Sequence, residues 1–302
     1  MIDPTADMLP TGHRVVVSRF GETPLQAIEE HVALEEQPAP DPRSLGPTDV
    51  VVAVRSAAVG WVDLLMTSGQ YQHMAQVPYT PGLEYSGTVV SVGSEVDRVE
   101  VGDDVIADGF LTGPRSAGAH RRYGGFATWA IAPQEALIPL PPTLSFDQGC
   151  CLLGNYETAW HCLVARGRLA QGETVLIHGA SGSTGLAAVH VAKLVGATVI
   201  ATGRNPDKLD IVKAQGADHV IVCKGTDGAG GGPRFRDEVK GLTEGRGVDV
   251  VYDGVGGAIS LESLRCVSFG ARFVIVGWAS TPFVARGRGQ RGAPNANLLP
   301  TN

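Results

Sequence analysis

Residues 174–204 read TVLIHGASGSTGLAAVHVAKLVGATVIATGR, and this stretch decides how the rest is read. The apolar run TVLIH reads as a strand and enters the turn Gly179–Gly185. The run LAAVHVAKLV carries a helical pattern and stops at Gly196, a residue suited to ending a helix. A second apolar run, ATVIAT, follows and ends at Gly203-Arg204. Strand, glycine-rich turn, helix and strand in this order form a βαβ unit.

A turn of this kind lets a diphosphate rest on a helix N-terminus, where backbone N–H groups point outward. Close approach favours glycine at Gly182, and tight packing of helix on strand favours it at Gly185. Ala180 stands where the first glycine of the usual dinucleotide fingerprint falls. Ser181, Ser183 and Thr184 bring hydroxyls that can donate to phosphate oxygens. NAD-preferring units place an acid about 20 residues on, where it accepts from the ribose 2′-OH. Here that place is held by Arg204, after Gly203, with Lys208 one helical turn further. A planar guanidinium suits a 2′-phosphate. The reading is a Rossmann first unit for NADPH, and so redox chemistry. The alternative leaves Arg204 and Lys208 as solvated residues at a helix start, paired locally with Asp207.

Composition is that of a globular protein, with 43% hydrophobic and 18% charged residues in 302, a length suited to two domains. A net charge of −7 argues against nucleic-acid binding as the main task. No apolar run is long enough to span a membrane. The start MIDPTADMLP is unlike a secretory or mitochondrial leader. The five cysteines include no C-x-x-C pair and read as reduced, mostly buried thiols, which gives a cytoplasmic expectation.

Outward from the glycine turn, the chain changes texture. Residues 1–150 carry short β-rich runs (VVVSR, DVVVAVRSAAV, GTVVSVG, DDVIA, FATWAIA) broken by Gly, Pro and Asp, which predicts a mostly antiparallel domain. Phe146 to Arg168 reads as helix. Strands are expected near 174–178, 197–201, 219–222, 248–252 and 272–277, with helices around 208–215, 235–242 and 258–266. Such alternation implies a parallel sheet covered on both faces over residues 151–302. Lys224–Pro233 (KGTDGAGGGP) reads as a surface loop.

With these features in place, the chain resembles the medium-chain dehydrogenase/reductase superfamily, in its zinc-free quinone oxidoreductase and enoyl reductase branch. The resemblance is carried by Val59–Tyr71 (VGWVDLLMTSGQY), Pro81–Val92 (PGLEYSGTVVSV), Val101–Ile106 (VGDDVI), Gly124–Ala132 (GGFATWAIA), Thr158–Leu163 (TAWHCL), HGASGSTG and Asp253–Gly257 (DGVGG). It implies an α/β chain with an N-terminal GroES-like β-barrel domain and a Rossmann doubly wound parallel sheet, the active site lying in the cleft between them. Family members continue beyond Gly277 with a sixth strand and helices, so the C-terminal end of the family fold is missing here. Relatives often pair through that part of the sheet, which leaves a homodimer open.

Zinc-dependent relatives use an early Cys and a His in Gly-His-Glu. This chain has Gly60 and Gly82-Leu83-Glu84, and its 108–125 segment lacks the cysteines of the structural lobe, so no metal is expected. Zinc-free relatives often carry Asn where this chain has Gly60. The resemblance implies reduction of quinones or α,β-unsaturated carbonyls by hydride transfer from NADPH, the cofactor supplying the difficult chemistry. Tyr71, in Gly-Gln-Tyr, matches the catalytic tyrosine segment of enoyl-thioester reductases and is the candidate proton donor or oxyanion partner; otherwise it only lines a cleft. Asp63 has either a direct chemical role or a loop-orienting one. Trp61 walls the pocket, and Glu84 is read as a buried structural carboxylate. Thr158, Val255, Gly277 and Trp278 are carried over as nicotinamide-side contacts; the alternative makes Trp278 core and Thr158 a helix residue bonding its own backbone. The basic loop Arg115, His120, Arg121, Arg122 and the tract Arg286, Arg288, Arg291 read more economically as solvated surface than as phosphate or RNA sites. Two further readings stay open: an enoyl-thioester reductase acting on an acyl-CoA type substrate, and a non-catalytic NADPH-binding protein, the latter favoured by Gly60 and the early end.

Overall fold

The computed structural model describes residues 9–71, 73, 75–116, 118–223 and 233–280. The glycine-rich stretch 224–232 and the Arg286–Arg291 tract lie outside them. The chain divides into two compact units, Met1–Leu153 and Gly154–Asn302.

The first unit is built from β1 (Gly12–Val17), α1 (Pro24–His31), β2 (Val32–Gln37), β3 (Asp49–Ala57), α2 (Trp61–Met66), β4 (Tyr85–Val92), β5 (Asp104–Ala107), β6 (Trp129–Pro133), β7 (Leu137–Pro139) and α3 (Phe146–Gly149). β1 and β2 form an antiparallel pair, and the others form an antiparallel sheet in the order β6-β3-β4-β5-β7. It curls as a GroES-like half-barrel around Val50, Val52, Tyr85, Val89, Val105 and Ala130. β3 and β4 shift register twice, between Val51 and Val52 and between Val54 and Ser56. Such irregularities bend a sheet and help it close. A second cluster, Val17, Met66, Ala75, Tyr79 and Leu83, lies under α2.

The second unit contains α4 (Leu153–Trp160), β8 (Thr174–His178), α5 (Ser183–Val195), β9 (Thr198–Gly203), α6 (Pro206–Ala214), β10 (His219–Val222), α7 (Arg236–Leu242), β11 (Val248–Asp253), α8 (Ala258–Ser263) and β12 (Val267–Ile275). The sheet is parallel in the order β10-β9-β8-β11-β12. The chain therefore steps outward from β8 in one direction and then jumps to its other side. The gap between β8 and β11 is the topological switch point, where open sheets of this type bind ligands at the strands' carboxyl ends. All five residues of β8 are buried, as a central strand covered on both faces requires.

Several expected elements differ in detail. The helix expected over Phe146–Arg168 is three pieces: α3, α4 and a π-helical segment His161–Arg166. Ser145 and Gln148 cap α3 reciprocally, and a Cβ on Gly149, its last residue, would meet Leu140 Cδ1 at 2.5 Å. α5 starts at Ser183 rather than Leu186, because extended Gly182 is its cap and accepts the first bond from Leu186 N–H at 2.8 Å. β12 starts at Val267, not 272; Gly270 has φ +77° and the pairing jumps from Val267 to Arg272. A bulge of this kind breaks the alternation a strand is recognised by.

Candidate functional site

The carboxyl ends of β8, β9, β11 and β12 carry most of the residues the sequence singles out. After β8, Gly182 caps α5, which is 13 residues long, without a side-chain bond. The first helical bond comes from Leu186, so the N–H groups of Ser183, Thr184 and Gly185 have no intrahelical partner. Among the described residues, the hydroxyls of Ser181, Ser183 and Thr184 make no hydrogen bond either. A Cβ on Gly185 would meet Gly179 O at 2.4 Å, whereas on Gly182 the nearest atom is Gly179 O at 3.3 Å. Gly185 is thus required by the packing of helix on turn, while the Cβ direction of Gly182 is comparatively open. An anion-receptive helix end with uncommitted donors fits the diphosphate of a dinucleotide.

Gly203 closes β9, and Arg204 and Lys208 are exposed beyond it. Asn205 caps α6 by accepting Lys208 N–H at 3.1 Å, with Pro206 in the first turn. Among the described residues neither basic side chain has a hydrogen bond or ion pair, so the local pairing with Asp207 is not made. Ala180 N–H donates to Thr202 O at 3.1 Å, which holds the glycine turn against the end of β9.

Val255, Gly277 and Trp278 gather at the ends of β11 and β12. Val276 N–H donates to Asp253 O at 2.8 Å, and Ser280 N–H to Val255 O at 2.9 Å. A Cβ on Gly256 would meet Trp278 Cδ1 at 2.7 Å. Val255 Cγ2 lies 3.4 Å from the Cβ position of Gly179, so the turn after β11 touches the turn after β8 across the switch point. Trp278 is 44% exposed and therefore is not a core residue. Thr158 is half-buried on α4, and among the described residues its side chain makes no hydrogen bond. Its neighbour Tyr156 bonds His190 Nδ1 at 2.7 Å, joining α4 to α5.

Two buried polar residues here lie in motifs read from the sequence, but no role was assigned to them. His178, the last residue of β8, is 2% exposed, with Nδ1 2.8 Å from Thr202 Oγ1 and Nε2 2.6 Å from Ser263 Oγ. Burial lowers its pKa to about 4, against an opposing pull from the Asp253 charge. Asp253 is 1% exposed and accepts from its own turn. A polar residue closing an apolar strand was the available signal for both.

In the first unit, Gly60 caps α2 and Trp61 opens it, 55% exposed. Asp63 is buried, and both of its oxygens are in use. Oδ2 accepts Gly60 N–H at 3.0 Å, and Oδ1 accepts the N–H groups of Gly82 and Leu83, each at 3.0 Å. Burial raises its pKa while these backbone bonds pull it down. The carboxylate thus staples the Gly60 loop to the Gly-Leu-Glu motif. A Cβ on Gly60 would lie 3.1 Å from Asp63 Oδ2, so a larger residue there must share space with that bond. Leu83 is in the apolar cluster with Met66 and Tyr79, and Tyr71 packs half-buried against the same cluster. The Tyr79 hydroxyl is buried with no hydrogen-bond partner, which no local pattern around residue 79 signals. Among the described residues, no three His, Cys, Asp or Glu side chains are grouped to hold a metal. The basic loop is not one cluster: Arg115 stacks on Phe110 at 3.7 Å, His120 bonds Asp49 at 2.8 Å, and Arg121 bonds Gln76. No helix among the described residues is long and apolar enough to cross a membrane.

Comparison with known proteins gives matches across both units. Residues 46–142 match the family model for the alcohol dehydrogenase GroES-like domain, and residues 183–290 match that for the zinc-binding dehydrogenase. A quinone oxidoreductase-like protein 2 homolog of Nematostella vectensis is 37% identical over 78% of this chain and 60% of its own length. The chain thus spans about 60% of that curated relative. The crystal structure of a Pseudomonas syringae quinone oxidoreductase is 30% identical with a TM-score of 0.70, covering 89% of this chain and 74% of that one. A mycobacterial structure complexed with NADPH is 28% identical with a TM-score of 0.71, with the same two coverages of 89% and 74%.

Proposed function

Since the chain belongs to the medium-chain dehydrogenase/reductase superfamily, in its quinone oxidoreductase branch, we propose that it is an NADPH-dependent reductase of quinones or α,β-unsaturated carbonyl compounds that works without zinc. The observation that carries this reading is the unpaired, exposed Arg204 at the end of β9, beside a glycine turn whose helix N-terminus has three uncommitted N–H groups.

In this reading Ser183, Thr184 and Gly185 receive the diphosphate through backbone N–H groups, with Ser181 and the Ser183 hydroxyl beside them. Arg204 reads the 2′-phosphate through its planar fork, and Lys208 adds a second positive charge. Val255, Gly277 and Trp278 receive the nicotinamide end, with Thr158 on the same side. When bound, NADPH supplies the hydride. The residues of the first unit do the rest. The Tyr71 hydroxyl holds the proton that meets charge developing on the acceptor oxygen. Asp63 keeps the Gly60–Trp61 loop in place, with both oxygens already accepting backbone N–H groups. Leu83 sits where zinc-dependent relatives place a ligand and offers no donor atom.

Absence of zinc is supported by Leu83 and Gly60, neither of which offers a side-chain donor to a metal. An enoyl-thioester substrate is the second reading, and the Gly-Gln-Tyr71 segment favours it. The test is a panel: protein and NADPH are mixed with 1,4-benzoquinone, a simple enone or crotonyl-CoA, and loss of nicotinamide absorbance is followed. Oxidation with the quinone or enone supports the first reading. Oxidation confined to the thioester moves the assignment to the second, and binding without oxidation by any acceptor favours a non-catalytic NADPH-binding protein.

A further inference from the structure

Asp253 lies at the carboxyl end of β11, the strand across the switch point from the glycine turn. Its carboxylate is spent on the chain itself. Oδ1 accepts Val255 N–H at 2.8 Å and Gly256 N–H at 3.0 Å, and Oδ2 accepts the Ser260 hydroxyl on α8. The turn it holds contains two left-handed glycines, Gly256 at φ +79° and Gly257 at φ +63°. Glycine is the most flexible residue, so such a turn needs an external hold to keep one shape.

The far end of α8 is held too. Ser263 donates to Ile259 O at 2.7 Å, which uses its hydrogen, so its oxygen accepts His178 Nε2–H at 2.6 Å. Nδ1 of His178 then accepts from Thr202 at 2.8 Å. His178 immediately precedes Gly179, and Thr202 immediately precedes Gly203-Arg204. A buried chain of hydrogen bonds therefore runs from the turn after β11, through α8, to the turn after β8 and the tip of β9.

We propose that Asp253 is a positioning residue of the cofactor site, fixing the Val255–Gly257 turn for the nicotinamide end, while Ser263, His178 and Thr202 tie the far end of α8 to the ends of β8 and β9 through bonds that do not involve Asp253. This inference rests on the function proposed above and adds a residue to its site. Asp253 is 1% exposed and both its oxygens are bonded within the chain, so its effect reaches the cofactor through the backbone of Val255 and Gly256. It follows that its loss acts on one half of the dinucleotide. The adenine half is held by Arg204 and by α5, whose first-turn N–H groups Asp253 does not touch.

The test separates the halves by titration calorimetry with NADPH and with adenosine 2′,5′-bisphosphate, which carries the 2′-phosphate and no nicotinamide. Asp253→Ala is expected to weaken NADPH about tenfold or more, since two backbone donors lose a charged acceptor. Its affinity for the bisphosphate is expected to stay within about twofold, because phosphate recognition by Arg204 is untouched. Asp253→Asn, which keeps Oδ1, is expected to recover part of the loss. Equal losses for both ligands, or unchanged NADPH affinity, would overturn the proposal. If Asp253→Ala does not fold, Ser260→Ala keeps the carboxylate and removes one donor, with about a threefold loss for NADPH alone expected; equal effects on the two ligands again overturn it. Wild-type protein that binds neither ligand is a separate result, and it overturns the functional reading itself.

Discussion

His178 and Ser263 meet at 2.6 Å inside the second unit, and the geometry leaves the imidazole neutral with its proton on Nε2. Burial holds the pKa near 4, below the 6.5 of an exposed histidine. A depressed pKa means that the unfolded chain takes up the proton first. The contribution of neutral His178 is then complete above pH 6.5 and is lost as pH falls toward 4. Urea unfolding of the second unit should therefore show a falling midpoint across this window. His178→Asn should flatten the decline, and an unchanged slope would remove His178 as its source.

The two glycines of the turn separate packing from binding. Gly185→Ala places a methyl 2.4 Å from Gly179 O, so it should destabilise the unit by about 1–3 kcal/mol. Gly182→Ala has only Gly179 O at 3.3 Å to accommodate and should fold with little loss. In the proposed site the diphosphate approaches this turn closely, so the added methyl should lower NADPH affinity by about tenfold. Thermal unfolding and NADPH titration of both variants check the contrast.

Tyr71 should divide turnover from binding. With the phenol oxygen removed, Tyr71→Phe keeps the ring against the cluster that holds Met66, Tyr79 and Leu83. We expect turnover with quinone or enone to drop by about 100-fold, the lower range for a general acid, while the NADPH dissociation constant stays put. Unchanged turnover would leave Tyr71 as lining only.

Asp63 should be needed for folding rather than for chemistry. Removing its carboxylate leaves Gly60, Gly82 and Leu83 N–H groups without their acceptor. Asp63→Ala should cost about 2–4 kcal/mol in urea unfolding of the first unit. A variant as stable as the parent would return Asp63 to the list of chemical candidates.

Much of the fold was legible because its signals are local. TVLIH is apolar throughout and proves to be a central strand buried at every residue. Gly196 ends α5 in a left-handed conformation, with φ +86°. Strand β12 was read five residues late, since the bulge at Gly270 hides its first part. The long helix before β8 was not readable as three pieces, because residues 146–168 contain no proline to mark where α3, α4 and the π-helical segment part. The glycine turn and Arg204 could be found from spacing. The roles of Asp253 and His178 could not, since their partners Ser260, Ser263 and Thr202 are brought to them only by the sheet.

The central claim is that Arg204 selects a phosphorylated dinucleotide. Parallel calorimetric titrations of the wild-type chain and Arg204→Ala with NADPH and NADH test it most directly. The account predicts that wild type prefers NADPH by about tenfold or more, and that the variant loses that preference with NADH affinity nearly unchanged. Equal affinity of the wild type for the two nucleotides, or equal losses for both on removing the guanidinium, would contradict it.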